Sequence, residues 1–244
     1  MLWSKATRSK YTSLDEPRVG VVVFPGSNDD GDAGWALSAL GAEPVFIWHA
    51  RPVLPRVGGV IIPGGFSYGD YLRAGAIARF APTMSAVHDF AAEGGLVLGI
   101  CNGFQVLCEA GLLPGVLRPN ASGSFVCRDV GVRVERADTP FTARCTVGQR
   151  LTIPVKHGEG CWYHPPEGIA ALEENGQIPL RYDDGENPSG SVADVAGVTN
   201  EAGNVLGLMP HPEHAVDPLL GSGDGALLLA SFLDAIRDRE LARV

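Results

Sequence analysis

The sequence has no uninterrupted apolar run long enough to cross a bilayer; its longest, such as Gly20 to Phe24, suit buried strands. It is poor in positive charge. Lys and Arg total 19 against 28 Asp and Glu, a formal net charge of -9, which argues against unassisted binding to nucleic-acid phosphates. Cysteine is scarce and odd in number: Cys101, Cys108, Cys127, Cys145 and Cys161 are irregularly spaced, with no secretory leader before them. A disulfide framework is therefore not expected, and a reducing, cytoplasmic setting is. There is no Gly-x-x-x-x-Gly-Lys-Ser/Thr loop; Gly221-Ser-Gly-Asp-Gly225 lacks the lysine and follows no strand. Internal repeats, low-complexity linkers and coiled-coil heptads are also missing.

What remains is the composition of an ordinary globular protein, 45% hydrophobic and 19% charged over 244 residues. Residues 1–17 are polar and without hydrophobic periodicity, and read as a flexible tail before a single domain over 18–244. Four short runs rich in Val, Ile and Leu read as buried parallel strands: Val19 to Phe24, Pro44 to Trp48, Gly59 to Ile62 and Leu96 to Ile100. Helical patterns alternate with them: Asp29 to Leu40, Ala74 to Ala92 with an interruption near Pro82, and Asn102 to Ala110. This order predicts a flavodoxin-like α/β open sheet, mostly parallel, with helices on both faces. Phe125 to Ile153 alternates apolar and polar residues and predicts antiparallel additions. Val192 to Val198 and Asn204 to Met209 read as a hairpin, and Ala226 to Arg237 as a closing helix.

The sharpest local signal is Leu96-Val-Leu-Gly-Ile-Cys101-Asn-Gly-Phe-Gln105. A buried strand runs into a helix with Cys101 at the junction and glycines two residues to either side, a nucleophile elbow with sulfur in place of oxygen. The helix N-terminus favours the thiolate, the reactive form. Cys108, Cys127 and Cys145 lack that context and read as packing residues. Amide hydrolysis through a thiolate needs a proton carrier with an orienting acid. Pro210-His211-Pro-Glu213-His214 offers one after an apolar strand, with Glu213 able to reach back to His211; His214 is the competitor. The turn Pro63-Gly64-Gly65 follows the third strand, and the N–H groups of Gly65 and Asn102 are candidates to hold an oxyanion. A zinc reading of His157, Cys161 and His164 lacks a fourth ligand and a second shell.

Together these segments resemble the class I, or triad, glutamine amidotransferases. Pro63-Gly-Gly-Phe-Ser-Tyr-Gly-Asp-Tyr-Leu-Arg73, Gly99-Ile-Cys-Asn-Gly-Phe-Gln-Val-Leu107, Gly111-Leu-Leu-Pro-Gly115 and Pro210-His-Pro-Glu-His214 are similar, more narrowly, to the glutaminase subunits of phosphoribosylformylglycinamidine synthases. So are Phe24-Pro-Gly-Ser-Asn28, Asn120 with Phe125 to Arg128, and His157-Gly-Glu-Gly160. The resemblance implies Cys101, His211 and Glu213 as a triad, and Gly65 and Asn102 as oxyanion donors. It also implies substrate contacts at Gly64, Phe66 and Gln105, with Phe125 and Arg128 near the amino-acid end of glutamine. No cofactor or metal is implied on this chain. A larger synthetase subunit using ATP and Mg, and a small third subunit, are the implied partners, with neither nucleic acid nor membrane. A γ-glutamyl cysteine hydrolase and a catalytically silent regulatory subunit are the alternative readings.

Overall fold

The structure is a computed structural model that describes residues 16–242. Almost all of the expected tail lies outside the described residues. The chain forms β1 (Arg18–Val23), α1 (Asp30–Ala39), β2 (Glu43–Trp48), β3 (Gly59–Ile62), α2 (Pro82–Ala92), β4 (Leu96–Ile100) and α3 (Asn102–Glu109). There follow β5 (Val116–Arg118), β6 (Val126–Val134), β7 (Arg150–His157), β8 (Cys161–Tyr163), α4 (Pro166–Glu174), β9 (Leu180–Tyr182), β10 (Val195–Thr199), β11 (Val205–Leu208) and α5 (Gly225–Leu241).

Nine strands make one sheet in the order β2-β1-β3-β4-β11-β10-β9-β6-β7. The pairings from β2 through β11 are parallel, and those from β11 through β7 antiparallel. The predicted parallel core with antiparallel additions is thus present. The additions are larger than expected, because β9 and the separate β5–β8 pair are only three residues each and carry no readable period.

Strands β3 and β4 are buried at every position because both their faces are covered, whereas β2, at the sheet edge, leaves Glu43, Phe46 and Trp48 exposed. Residues alternate between faces along a strand. A Cβ on Gly59 would meet Phe232 and Ile236 of α5, whereas one on Gly103 of α3 would lie 1.9 Å from the Ile62 carbonyl oxygen. Helices therefore cover both faces of β3, and α3 packs on β3 as closely as its backbone allows. Pro82 does not interrupt a helix. It occupies the first turn of α2, where its missing N–H costs nothing, after a short 3-10 turn at Ala78–Phe80.

The decisive pairing is β4 with β11, where Ile100 stands opposite Leu208. Both strands end at the same edge. The chain leaves β4 through Cys101 and β11 through Met209 and Pro210 to His211. Loops after β1 and β3 reach the same edge, where open α/β sheets bind ligands.

Candidate functional site

Cys101 is the N-cap of α3 and has φ 50° and ψ -103°, outside the conformations an L-residue prefers. Its N–H bonds the Leu208 carbonyl at 2.8 Å, and its own carbonyl accepts from Gln105 at 3.1 Å. The strained turn is thereby clamped on both sides. The side chain is 5% exposed, and its thiol points at the Lys156 carbonyl at 3.7 Å.

His211 is wholly buried and follows β11, its N–H donating to the Pro154 carbonyl at 2.8 Å. Its Nδ1 lies 2.6 Å from Glu213 Oε1, and Glu213 is itself 1% exposed in a 3-10 turn at Pro212–His214. Burial pushes the imidazole pKa down, but the Glu213 carboxylate and the Cys101 sulfur outweigh it and raise the group to about 10. Nε2 makes no fully formed hydrogen bond, so the sulfur acts on the ring from close by without clasping it. His214 is more exposed and turns Nε2 to Lys156 Nζ at 3.0 Å and Asp29 Oδ1 at 3.3 Å.

The cavity beside Cys101 has a volume of about 170 Å³. Gly65, Phe66, Gln105 and Phe125, all singled out in the sequence, line it together with Cys101. Gly65 has φ 138°, and a Cβ there would lie 2.6 Å from Asn28 N. Among the described residues, neither the Gly65 N–H nor the Asn102 N–H has a hydrogen-bond partner. The Asn102 side chain accepts from Ser67 N at 3.1 Å and donates to Gln105 Oε1 at 2.8 Å. Gln105 Nε2 in turn donates to the Glu159 carbonyl at 2.7 Å, so this amide is engaged at both ends and shapes the wall.

Two of the residues singled out in the sequence, Arg128 and Gly64, are not among those lining the cavity. Arg128 does not line the cavity: β6 pairs it with Val155, on the face opposite the Cys127–Lys156 pair, and its charge falls on Glu186. Gly64 sits behind the wall, where a Cβ would come within 2.3 Å of Asp29 Oδ2 and 2.7 Å of His211 Cε1. It has no side chain because those two groups occupy the space. Of the cysteines read as packing, Cys145 is buried and Cys108 half-buried, with desolvation and then Glu109 pushing its thiol up, but Cys127 is exposed on β6. His157, Cys161 and His164 do not converge on a metal. Cys161 turns to the Gly190 carbonyl at 3.2 Å, and the His164 ring stacks on Trp162.

Several groups escape the sequence reading. Asp29 is buried, salt-bridged to the Lys156 ammonium and 3.8 Å from His211 Nδ1. Burial alone would raise its pKa; His214, His211 and Lys156 together hold it well below the usual carboxylate range. Asp29, His211, Glu213 and His214 bring their ligand atoms within 4.8 Å of one another, a set that could hold a cation, and Lys156 already supplies one to Asp29. Asp70 lines the cavity with Glu159; burial and then the Glu159 charge raise it to about 6, against a weak bond from Asn102.

Known proteins align with this arrangement. A family model described as the CobB/CobQ-like glutamine amidotransferase domain matches residues 16–222. The phosphoribosylformylglycinamidine synthase subunit PurQ of Rubrobacter xylanophilus is 62% identical over 216 residues, 88% of this chain and 97% of that protein. The subunit of the same name from Thermus thermophilus is 52% identical over 226 residues, 91% and 98% of the two chains. A solved structure of PurLQS from Thermotoga maritima superposes with a TM-score of 0.83 at 44% identity, covering 90% of this chain and 99% of that one. A candidate GMP synthase component from Thermoplasma acidophilum, at 14% identity and a TM-score of 0.67 over 94% of this chain and 100% of that one, shares the fold. The chain belongs to the CobB/CobQ-like glutamine amidotransferases, in the branch formed by the PurQ subunits of phosphoribosylformylglycinamidine synthase.

Proposed function

We propose that this chain is the glutaminase subunit of a phosphoribosylformylglycinamidine synthase of purine biosynthesis, and that Cys101, His211 and Glu213 carry the hydrolysis. The observation that carries the reading is one small cavity with Cys101 on its wall, a buried His211–Glu213 pair acting on that sulfur, and two unpartnered N–H groups at Gly65 and Asn102.

His211, held charged by Glu213 and the sulfur, favours the thiolate. The thiolate attacks the carboxamide carbon of glutamine, and the developing oxyanion takes the two N–H groups. The C–N bond breaks, His211 gives its proton to the departing nitrogen, and ammonia leaves neutral. The thioester remains on Cys101. Water then attacks the thioester carbon while His211 takes its proton; the C–S bond breaks, its electron pair returns to the Cys101 sulfur beside the recharged imidazole, and glutamate is released. At the other end of the substrate, the α-ammonium group faces Asp70 and Glu159, while Phe66 and Phe125 cover the methylenes. Residues 18–244 act as one domain.

Free ammonia in water is mostly protonated and no longer nucleophilic, so it passes directly to a larger synthetase subunit. The synthetase subunit, which also associates with a small third subunit, binds the ATP and Mg; this sequence has no Gly-x-x-x-x-Gly-Lys-Ser/Thr loop. The complex works in the cytoplasm, and no helix among the described residues is long and apolar enough to cross a membrane.

In the assembled complex, Cys101→Ala is expected to abolish synthesis from glutamine and leave synthesis from added ammonium salt intact. Loss of both activities together would refute the assignment.

A further inference from the structure

Asp29 stands at the N-cap of α1, where an aspartate ordinarily turns its carboxylate to the free N–H groups of the first turn. Here the side chain makes no such bond. The backbone is fixed on both sides instead: Asp29 N donates to the Gly64 carbonyl at 3.2 Å, and the Asp29 carbonyl accepts from Ala33 N at 2.9 Å. The carboxylate, 3% exposed, turns inward. Its Oδ2 lies 3.8 Å from His211 Nδ1, over the space that a Cβ on Gly64 would fill, and its Oδ1 pairs with the Lys156 ammonium. His214 Nε2 flanks that pair, 3.0 Å from Lys156 Nζ and 3.3 Å from Asp29 Oδ1. The reaction above gives neither Asp29 nor Lys156 a task.

Two carboxylates therefore bear on one imidazole. Glu213 accepts the Nδ1 proton at 2.6 Å, whereas Asp29 is beyond hydrogen-bond reach and acts by charge. Burial works against the Asp29 charge, but His214, His211 and Lys156 keep it ionised; what His211 does for Asp29, Asp29 does for His211. The other titratable groups about the His211 ring are Cys101 before α3, His157 on β7 and His214 on its own turn. On the helices packed against that turn, Asp30 is half-buried and Asp32 exposed on α1, and Asp224 before α5 accepts the Thr152 N–H at 2.7 Å.

The two halves of the reaction ask opposite things of His211. Before acylation it must hold the proton that the departing nitrogen takes. In the thioester it must lack one, so that water can supply it. The sulfur charge that favours the protonated ring is gone from the thioester, but both carboxylates remain. An uncompensated opposite charge within about 4–6 Å strongly favours the charged ring. A bare Asp29 would thus keep the proton on His211 and leave water without a base.

We propose that Lys156 neutralises Asp29 so that His211 can lose and regain its proton within one catalytic cycle, and that Asp29 in turn shields the charged ring from the ammonium. Both are positioning residues that act through His211, and the inference deepens the glutaminase reading on which it rests.

The test uses the chain complexed with its synthetase partners and the γ-thiomethyl ester of glutamate. Its leaving group departs as a thiolate without the His211 proton, so hydrolysis of the enzyme thioester sets kcat, and a burst of methanethiol verifies this. In the parent, kcat should rise with pH as His211 loses its proton in the thioester. Lys156→Met should move that rise upward by about 1 to 2 pH units, and Asp29→Asn, which keeps the shape, should move it downward. The double variant, with neither charge, should return close to the parent. Lower plateau rates with an unmoved rise, or losses that multiply in the double variant, would assign the pair to structure alone and overturn the proposal. If Lys156→Met did not fold, an unmoved rise in Asp29→Asn would overturn it by itself. A parent complex that turned over no glutamine would bring down the glutaminase reading and this inference with it; one that did so without the shifts would bring down this inference only.

Discussion

At His211, burial and charge pull in opposite directions. A wholly buried imidazole would ordinarily stay neutral; Glu213 and Cys101 reverse that and raise it to about 10. Glu213→Gln keeps the size but removes the charge and can present an N–H to Nδ1, forcing the wrong tautomer. A fall in kcat on the order of 10³- to 10⁴-fold is expected, with little change in glutamine affinity; steady-state kinetics on the folded variant checks it. Asp70 lines the cavity where the proposed reading sets the α-ammonium group. Its carboxyl titrates near 6, so it gains charge as pH rises through that value and attracts the α-ammonium group better. The KM for glutamine should therefore climb as pH falls below about 6, and Asp70→Asn should remove that dependence. A KM profile unchanged by the substitution would show that the α-ammonium group lies elsewhere. The residues legible in the sequence are those whose meaning is local: Cys101 between its glycines, and His211 two positions from Glu213. Asp29 and Asp70 lie in loops far in sequence from Lys156 and His157 at the end of β7, and only the closed sheet brings them together.

Among the elements, the β4–α3 elbow depends on backbone contact. A Cβ on Gly103 would overlap the Ile62 carbonyl, which belongs to rigid β3 and has nowhere to go. Gly103→Ala should cost about 1–3 kcal/mol or more of stability, seen as a lower denaturation midpoint, and should reduce activity by tilting Cys101 off its clamp. Near-normal stability would mean that α3 can slide. The four parallel strands are readable because each is a continuous apolar run between breakers. The short strands β5, β8 and β9 are not, since three residues cannot display a period. The helix α4 is equally silent: only Ile169 and Leu172 are buried on it, too few for a stripe. The position of Arg128 is hidden for a related reason. One residue of register decides which face of β6 a side chain occupies, and the sequence does not state that register.

At the scale of the whole molecule, the continuous nine-strand sheet predicts one cooperative unit over the described residues 18–242. Tryptophan fluorescence and far-ultraviolet circular dichroism should give coincident urea transitions. Separate midpoints would divide the antiparallel strands from the parallel core. The sign of the net charge and the parallel core are legible from composition and pattern. The breadth of the antiparallel half is not, because its strands meet partners distant in sequence.

The place of β11 in the sheet has a consequence for how the protein comes into being. It lies in the middle, between β4 and β10, yet is made last of the described strands. A chain emerging from the ribosome completes the cysteine turn well before residues 205–208 arrive. Through that interval one side of β4 has no neighbour, an open edge of the kind that recruits other chains. The thiol also waits without its imidazole. The late arrival of a four-residue strand therefore closes the open side of β4 and brings His211 to Cys101 in a single step.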